Sequence, residues 1–501
     1  MKKENSVFSD YVAILGSLTY VLILLGIIMM LPLAVITFHK EEAALAPCFI
    51  YPGVLSIFSG YLLKLLTAGY SISRLKRNGG AVVVLLIWIV SILIGSIPFI
   101  MQGDYTFTEA VFETTSGFTT TGFTVTIPEE APKSILFYRS VLHLFGGVGL
   151  VLFLSLVLSN IYGMQLFSAE GHNDRLAPSV QNSAKTIFAI YLGFIVGGTT
   201  LYTIFGMPLF DAINHSISAV ATGGFSTKSD SIGYWHSVPI DITTIILMCL
   251  GSFNFMASLL FIKGQFKKFF LHCETRVTIF LLATVTPITT VMLLTTKICP
   301  NVLSAIDNAL FQVTSILTTT GLSTINDFLP RAEYALLPLL LLMIVGGHSN
   351  STAGGIKAFR TSLLVRSIFY DLREQLESNR IVRSRKINRF GKDEKITQIE
   401  QSKNYTYVIL FLLTGLLGSI GLMLCGYSFR DSIIEFFSAL GTVGMSIGIA
   451  TPTSEMSNAT MWIITAGMLV ARLEIYIFFN ATARILLDFK ELTKKRRSAV
   501  K

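Results

Sequence analysis

The chain has 501 residues, of which 52% are hydrophobic and only 14% charged, with 39 Lys/Arg against 30 Asp/Glu for a formal net charge of +9. So little charge cannot cover a soluble protein of this size, and a mean hydropathy of +0.64 points the same way. The five cysteines (Cys48, Cys249, Cys273, Cys299 and Cys425) have neither metal-site spacing nor a disulfide framework, which leaves an all-α polytopic membrane protein.

In chain order, ten apolar runs approach the ~20 residues that a bilayer-crossing helix requires. Tyr11–Phe38 comes first, too long for a signal-peptide core and without a convincing cleavage site, so it reads as a retained helix. Cys48–Leu66 follows, with Lys64 snorkelling near its end, and then Ala81–Met101 and Phe137–Ile161. Ile187–Phe205, Ile242–Ile262 and Val277–Thr295 come next, and Asn254 in the sixth run reads as a hydrogen-bonding link between helices. The last three are Tyr334–Arg366, which carries a break, Tyr407–Cys425 and Trp462–Leu487.

Basic residues gather on the cytoplasmic side of membrane proteins. Here they occupy alternate connections: Arg74, Lys76 and Arg77; Arg175 and Lys185; Lys263, Lys267, Lys268 and Arg276; then Arg380, Arg383, Arg385, Lys386, Arg389, Lys392 and Lys395. The terminal Lys2 and Lys3 and the tail Lys490, Lys494, Lys495, Arg496 and Arg497 fall on the same side, so both termini are read as cytoplasmic in a multi-pass protein of the cell membrane. The positive charge is thus a topological signal of contact with the lipid bilayer, and no nucleic acid is implied.

On the opposite side lie four short, half-apolar stretches between runs three and four, five and six, seven and eight, and nine and ten. They align on one glycine each: Thr120-Thr121-Gly122, Thr222-Gly223-Gly224, Thr319-Thr320-Gly321 and Thr442-Val443-Gly444. Two residues before each glycine stands Thr, six before it Ser (Ser116, Ser218, Ser315, Ser438), and two after it a hydroxyl (Thr124, Ser226, Ser323, Ser446). The glycines are 102, 97 and 123 residues apart, each interval long enough for two helices and one hairpin. Such self-similarity is a statement about fold: four helix–pore hairpin–helix units around a pseudo-fourfold axis.

Irregular backbone at membrane depth survives where it lines a wet cavity or is buried in protein. A dehydrating monovalent cation needs a ring of oxygens, which carbonyls from four equivalent strands supply, and glycine lets the backbone turn those carbonyls inward. The amphipathic segment before each glycine, such as Phe107–Phe118, would aim a partly negative helix end at a central cavity. The ion-binding candidates are thus the twelve residues of the four Thr-x-Gly triplets, with potassium as cargo and no cofactor. Ordinary Thr/Gly turns are the bland alternative, and fourfold repetition argues against them. Nine residues before each glycine stand Glu113, His215, Gln312 and Glu435, read as packing against neighbouring helices through hydrogen bonds.

At these residues the chain resembles the Trk/Ktr/HKT superfamily of potassium uptake proteins, and its TrkH branch most. Further carriers of the likeness are Arg139-Ser140 with Gly146-Gly147-Val148-Gly149, Gly163-Met164-Gln165-Leu166-Phe167 with Ala169-Glu170, Gly251-Ser252-Phe253-Asn254-Phe255, Ser351-Thr352-Ala353-Gly354-Gly355-Ile356-Lys357 and Ala471-Arg472-Leu473-Glu474. The resemblance implies a potassium selectivity filter at the triplets, a homodimer, and a TrkA-like nucleotide-binding regulatory subunit on the cytoplasmic face. It divides the chain into a two-helix extension (1–78) and four pore repeats (79–163, 164–264, 265–400 and 401–501), the third carrying the gate loop and a basic segment, the fourth a basic tail. Four intact glycines favour K⁺ over Na⁺, since a Ser at the first accompanies Na⁺ selectivity in plant relatives.

The eighth run is interrupted by a polar, glycine-rich stretch from Gly346-Gly347 to Gly354-Gly355. A continuous helix disfavours it, and the resemblance makes it an intramembrane gate loop; a passive kink is the alternative. His348 within it departs from the family pattern and would be a route to pH sensitivity. Arg472, costly at mid-membrane, is assigned by the resemblance to the pore below the filter. Its alternative is a buried ion pair with another span's carboxylate, since Glu474 points to a different helix face. A coupled H⁺ or Na⁺ symporter, or a K⁺/Na⁺ permease of low selectivity, stays open beside a gated channel. An enzyme is disfavoured, since no HExxH occurs and the residues repeated fourfold are hydroxyls and glycines.

Overall fold

The computed structural model describes residues 7–68, 79–149, 180–376 and 384–499. The basic residues at 74–77, the second half of the fourth run, the motif at 163–170, and Lys2, Lys3, Arg175, Arg380 and Arg383 lie outside them. The described chain is helical except for one antiparallel hairpin, Lys386–Arg389 paired with Lys392–Lys395. Among the described residues six helices are long and apolar enough to cross a membrane, and two further pairs qualify if each bent pair is counted as one span.

Two expected spans are not continuous. The sixth run is two helices, Val238–Ser252 and Phe255–Ile262, meeting at 119°, and the tenth is Asn458–Arg472 and Ile475–Lys490 meeting at 104°. At the first break Asn254 turns its Oδ1 to accept the Met256 N–H at 2.9 Å. This makes it a helix cap. At the second break Glu474 takes a left-handed conformation, φ 51°. The eighth run splits as expected, into Leu336–Val345 and Ala358–Leu376.

Four short helices precede the four glycines: Phe107–Thr119, Leu209–Val220, Val302–Leu317 and Phe429–Gly441. Their starts are fixed locally. Thr106 and Glu109 form a reciprocal capping box at the first, and the Ser428 hydroxyl accepts the Asp431 N–H at the fourth. Their cores are buried: Glu113, His215, Gln312 and Glu435 are each 0% exposed. Along the helices that surround them, apolar side chains such as Phe58, Val196, Phe280 and Leu417 point outward and are exposed, as expected for a surface facing lipid rather than water.

Candidate functional site: four glycine loops and the loop beneath them

All four short helices end the same way. Thr120, Thr222, Thr319 and Thr442 adopt left-handed φ values of 55°, 51°, 54° and 52°. The next residue's N–H then donates back to the serine six before the glycine: Thr121 to Ser116 C=O at 3.0 Å, Gly223 to Ser218 at 2.8 Å, Thr320 to Ser315 at 2.8 Å and Val443 to Ser438 at 2.9 Å. This closes each helix with a Schellman-type turn that satisfies an otherwise orphaned carbonyl. The serine side chains hold the chain beyond: Ser315 Oγ donates to Leu322 C=O and Ser438 Oγ to Met445 C=O, while Ser116 Oγ accepts from Gly122 N–H.

The hydroxyl after each glycine serves two ends. It accepts the N–H two residues on, at 2.9 Å for Thr124, Ser226 and Ser446 and 3.1 Å for Ser323. It also meets the polar residue eleven positions earlier: Thr124 with Glu113 at 2.8 Å, Ser226 with His215 Nε2 at 2.9 Å, Ser323 with Gln312 at 2.7 Å and Ser446 with Glu435 at 2.7 Å. Glu113 also reaches the neighbouring helix Lys133–Val148 through Arg139, as expected, but the bond all four share is within their own unit. They brace the loop of their own unit, because the chain after each glycine doubles back along the helix that precedes it.

The glycines themselves have positive φ (97°, 89°, 78° and 74° at Gly122, Gly224, Gly321 and Gly444), a region costly for side chains. They also leave no room. A Cβ on Gly122 would strike Gly223 C=O, on Gly224 Thr320 C=O, on Gly321 Val443 C=O, and on Gly444 Thr121 C=O. Each glycine abuts the carbonyl just before the next unit's glycine, and the fourth returns to the first. The four triplets therefore meet in one closed ring, in chain order.

Between the first two units lies a buried group to which sequence reasoning gave no role. Arg139, 1% exposed, pairs with Glu113 Oε1 at 2.8 Å and donates to Thr124 Oγ1 at 2.9 Å. Its guanidinium lies 4.1 Å from the Phe225 ring centroid. His143 stacks on the same Phe225 at 4.2 Å and fills the space beside Gly223. Outside the ring, Glu129 accepts from both the amide and hydroxyl of Ser229, tying two loops together. Partial burial pushes its carboxyl up, but those two donors outweigh it and hold the group below its usual range.

Against the inner side of the ring lies the loop between Val345 and Ala358. Gly354 N–H donates to Thr319 Oγ1 at 2.8 Å, and the Thr222 and Thr352 hydroxyls are 3.0 Å apart. A Cβ on Gly354 would strike the Thr442 side chain, and Gly346 and Gly355 sit backbone to backbone. The loop thus touches the left-handed threonines of three of the four units. Gly347 packs on Ala353 and Ser252, and His348 N–H donates to Ser252 C=O. The His348 ring is buried with Nε2 3.0 Å from Thr278 Oγ1.

Arg472 reaches the same place. It donates to Thr352 C=O at 3.0 Å and to Gly147 C=O at 3.1 Å, and also to Gly146 C=O. Glu474, in the break that follows this helix, turns away to pair with Arg360 at 2.7 Å. On the loop's other side a cavity of about 440 Å³ is lined by Gly354, Gly355, Lys357, Arg472 and the hairpin residues Ile387 and Arg389.

Comparison with known proteins places this arrangement in a family. Residues 48–488 match the family model TrkH, a cation transport protein. The chain is 30% identical over 485 residues to the Trk system potassium uptake protein TrkH of Vibrio parahaemolyticus, covering 94% of this chain and 97% of that one. It is 31% identical to the protein of the same name from Salmonella typhimurium, over 80% of this chain and 84% of that one. The crystal structure of the potassium transporter TrkH from Vibrio parahaemolyticus superposes with a TM-score of 0.80 at 28% identity, covering 94% and 98% of the two chains.

Proposed function

The chain belongs to the TrkH family of cation transport proteins, and we propose that it is a potassium uptake protein whose ions pass through the ring of four glycine loops. It is a multi-pass membrane protein, and the proposed direction is inward, with both termini and the basic connections in the cytoplasm. The observation that carries the reading is the closed ring, in which each glycine abuts the carbonyl preceding the next. Carbonyls crowded around one axis can replace the water of a dehydrated monovalent cation. The naming of relatives as potassium uptake proteins supports the choice of ion.

In this reading the triplets Thr120-Thr121-Gly122, Thr222-Gly223-Gly224, Thr319-Thr320-Gly321 and Thr442-Val443-Gly444 are the selectivity filter. The loop at 346–355 is the gate, pinned across the path by Arg472, whose charge also opposes cation entry. Contact of the loop with three filter threonines supports an obstructing position. A homodimer and a cytoplasmic nucleotide-binding subunit that controls the gate complete the proposal.

The test is ⁸⁶Rb⁺ uptake into proteoliposomes, wild type beside Gly122→Ser, with K⁺ and Na⁺ as competitors. Uptake blocked by K⁺ and weakly by Na⁺, with that preference eroded in the variant, is the expected result. Flux indifferent to the substitution would overturn the filter assignment.

A further inference from the structure

The gate loop is tied at both ends to one buried carboxylate. Glu274, 1% exposed at the start of helix Cys273–Thr295, accepts the Ser349 N–H at 2.7 Å and the Phe359 N–H at 3.1 Å on the same oxygen. Its other oxygen lies 2.9 Å from His272 Nε2. On the far side of that ring, Phe390 N–H lies 3.3 Å from Nδ1, and the Phe390 ring stacks on it at 4.4 Å and 12°. One neutral tautomer, with the proton on Nε2, satisfies every contact in the line.

Phe390 is the tip of the hairpin at 386–395, in a tight turn where Phe390 and Gly391 have φ of 51° and 82°. Such turns prefer Asn or Gly, and a bulky residue there is strained. The strain persists because the ring is seated on His272. The hairpin body is fixed by Ile387, buried with Cys273 and Leu363, and Arg389 lies over Phe359 at 4.8 Å. Both contacts of the hairpin thus converge on the segment that ends the loop.

We infer that Glu274 is a positioning residue through which the hairpin tip, by way of His272, holds the gate loop across the ion path, so that displacing the tip releases the loop. The inference rests on the gate reading given above. It makes the hairpin the element of this chain through which an event at the cytoplasmic face reaches the pore, by a continuous line of hydrogen bonds.

The test uses the full chain in proteoliposomes without any partner, measuring ⁸⁶Rb⁺ uptake and its competition by Na⁺ for wild type, Glu274→Ala, Phe390→Ala and Arg472→Ala. Loss of a charge-assisted tie is expected to raise the rate about tenfold in E274A and about threefold in F390A, with the Rb⁺ over Na⁺ preference unchanged. A merely structural role would lower the rate or degrade the preference. If E274A does not fold, F390A, half-buried in the hairpin turn and outside the spans, decides alone. A rate raised by R472A but unchanged by E274A and F390A overturns the tie while sparing the gate. No rise in any variant overturns the gate reading and the inference with it.

Discussion

The two halves of the candidate ion path are built on opposite plans. In the outer half one local geometry occurs four times, with the same left-handed threonine, the same serine return and the same braced hydroxyl. In the inner half a single loop and a single arginine meet the ring, and no second copy of either appears among the described residues. A repeated ring has no soft side: each glycine is wedged by its neighbour, so the ring is rigid in the manner of a packed core. A single loop held by a few hydrogen bonds can be displaced at modest cost. If the proposed filter and gate are right, selection and gating are separated by how many times a contact is made.

That contrast breaks most sharply if a change in the ring behaves like a change in the loop. Gly444→Ala forces a Cβ into Thr121 C=O at a positive φ. Strain of roughly 1–2 kcal/mol from the backbone alone, plus the overlap, is expected to cut ⁸⁶Rb⁺ uptake by about a hundredfold or more. A variant that merely leaks faster would show that the ring can move. Next in size is Arg139→Leu, which leaves Glu113 as an uncompensated buried charge. A loss of about 3–5 kcal/mol in stability is expected in a thermal melt of the detergent-solubilised protein, partly restored when Glu113→Gln is added.

The inner half should respond with the opposite sign. Thr352→Val removes a hydroxyl that lies 2.9 Å from Gly251 C=O and 3.0 Å from the Thr222 hydroxyl. Losing one or two neutral hydrogen bonds weakens the closed position by about 1 kcal/mol each, so uptake should rise roughly fivefold to thirtyfold with ion preference intact. A fall in rate would mean that the loop does not obstruct the path.

These differences also explain what the sequence made legible. A geometry used four times demands the same residues four times, so the Thr, Ser, Gly and hydroxyl positions stand out without any alignment to other proteins. Glu113, His215, Gln312 and Glu435 were visible as a polar position, but their chemical variety hid the shared partner eleven residues away. The helix breaks at Asn254 and Glu474 were masked because long apolar runs on both sides outweigh a two-residue interruption. Glu274, His272 and Phe390 left no trace. A lone carboxylate at a helix start looks like any solvated charge, and the residues along this line lie 75, 85 and 118 positions from their mates.

The finest version of the comparison lies within the ring itself, between units that brace the same hydroxyl with different chemistry. Glu435 accepts from the Ser446 hydroxyl and from the Ile447 and Ala450 amides at 2.7–2.9 Å. Glu113 occupies the same place in the first unit but is paired with Arg139, while the third unit carries an uncharged amide, Gln312. With its oxygen turned to the loop, Gln312 accepts from the Thr324 and Ile325 amides at 3.1 and 3.2 Å. The position therefore needs a hydrogen-bond partner for the loop hydroxyl and not a charge; Glu113, Gln312 and Glu435 also accept backbone N–H groups, while His215 meets the Ser226 hydroxyl. Glu435→Gln keeps one acceptor oxygen and turns an NH₂ toward one former donor, so a cost of about 1 kcal/mol in the melt and little change in ion preference are expected. If instead this change erodes the Rb⁺ over Na⁺ preference as far as Gly122→Ser does, the carboxylate is felt by the ion and the four braces are not equivalent.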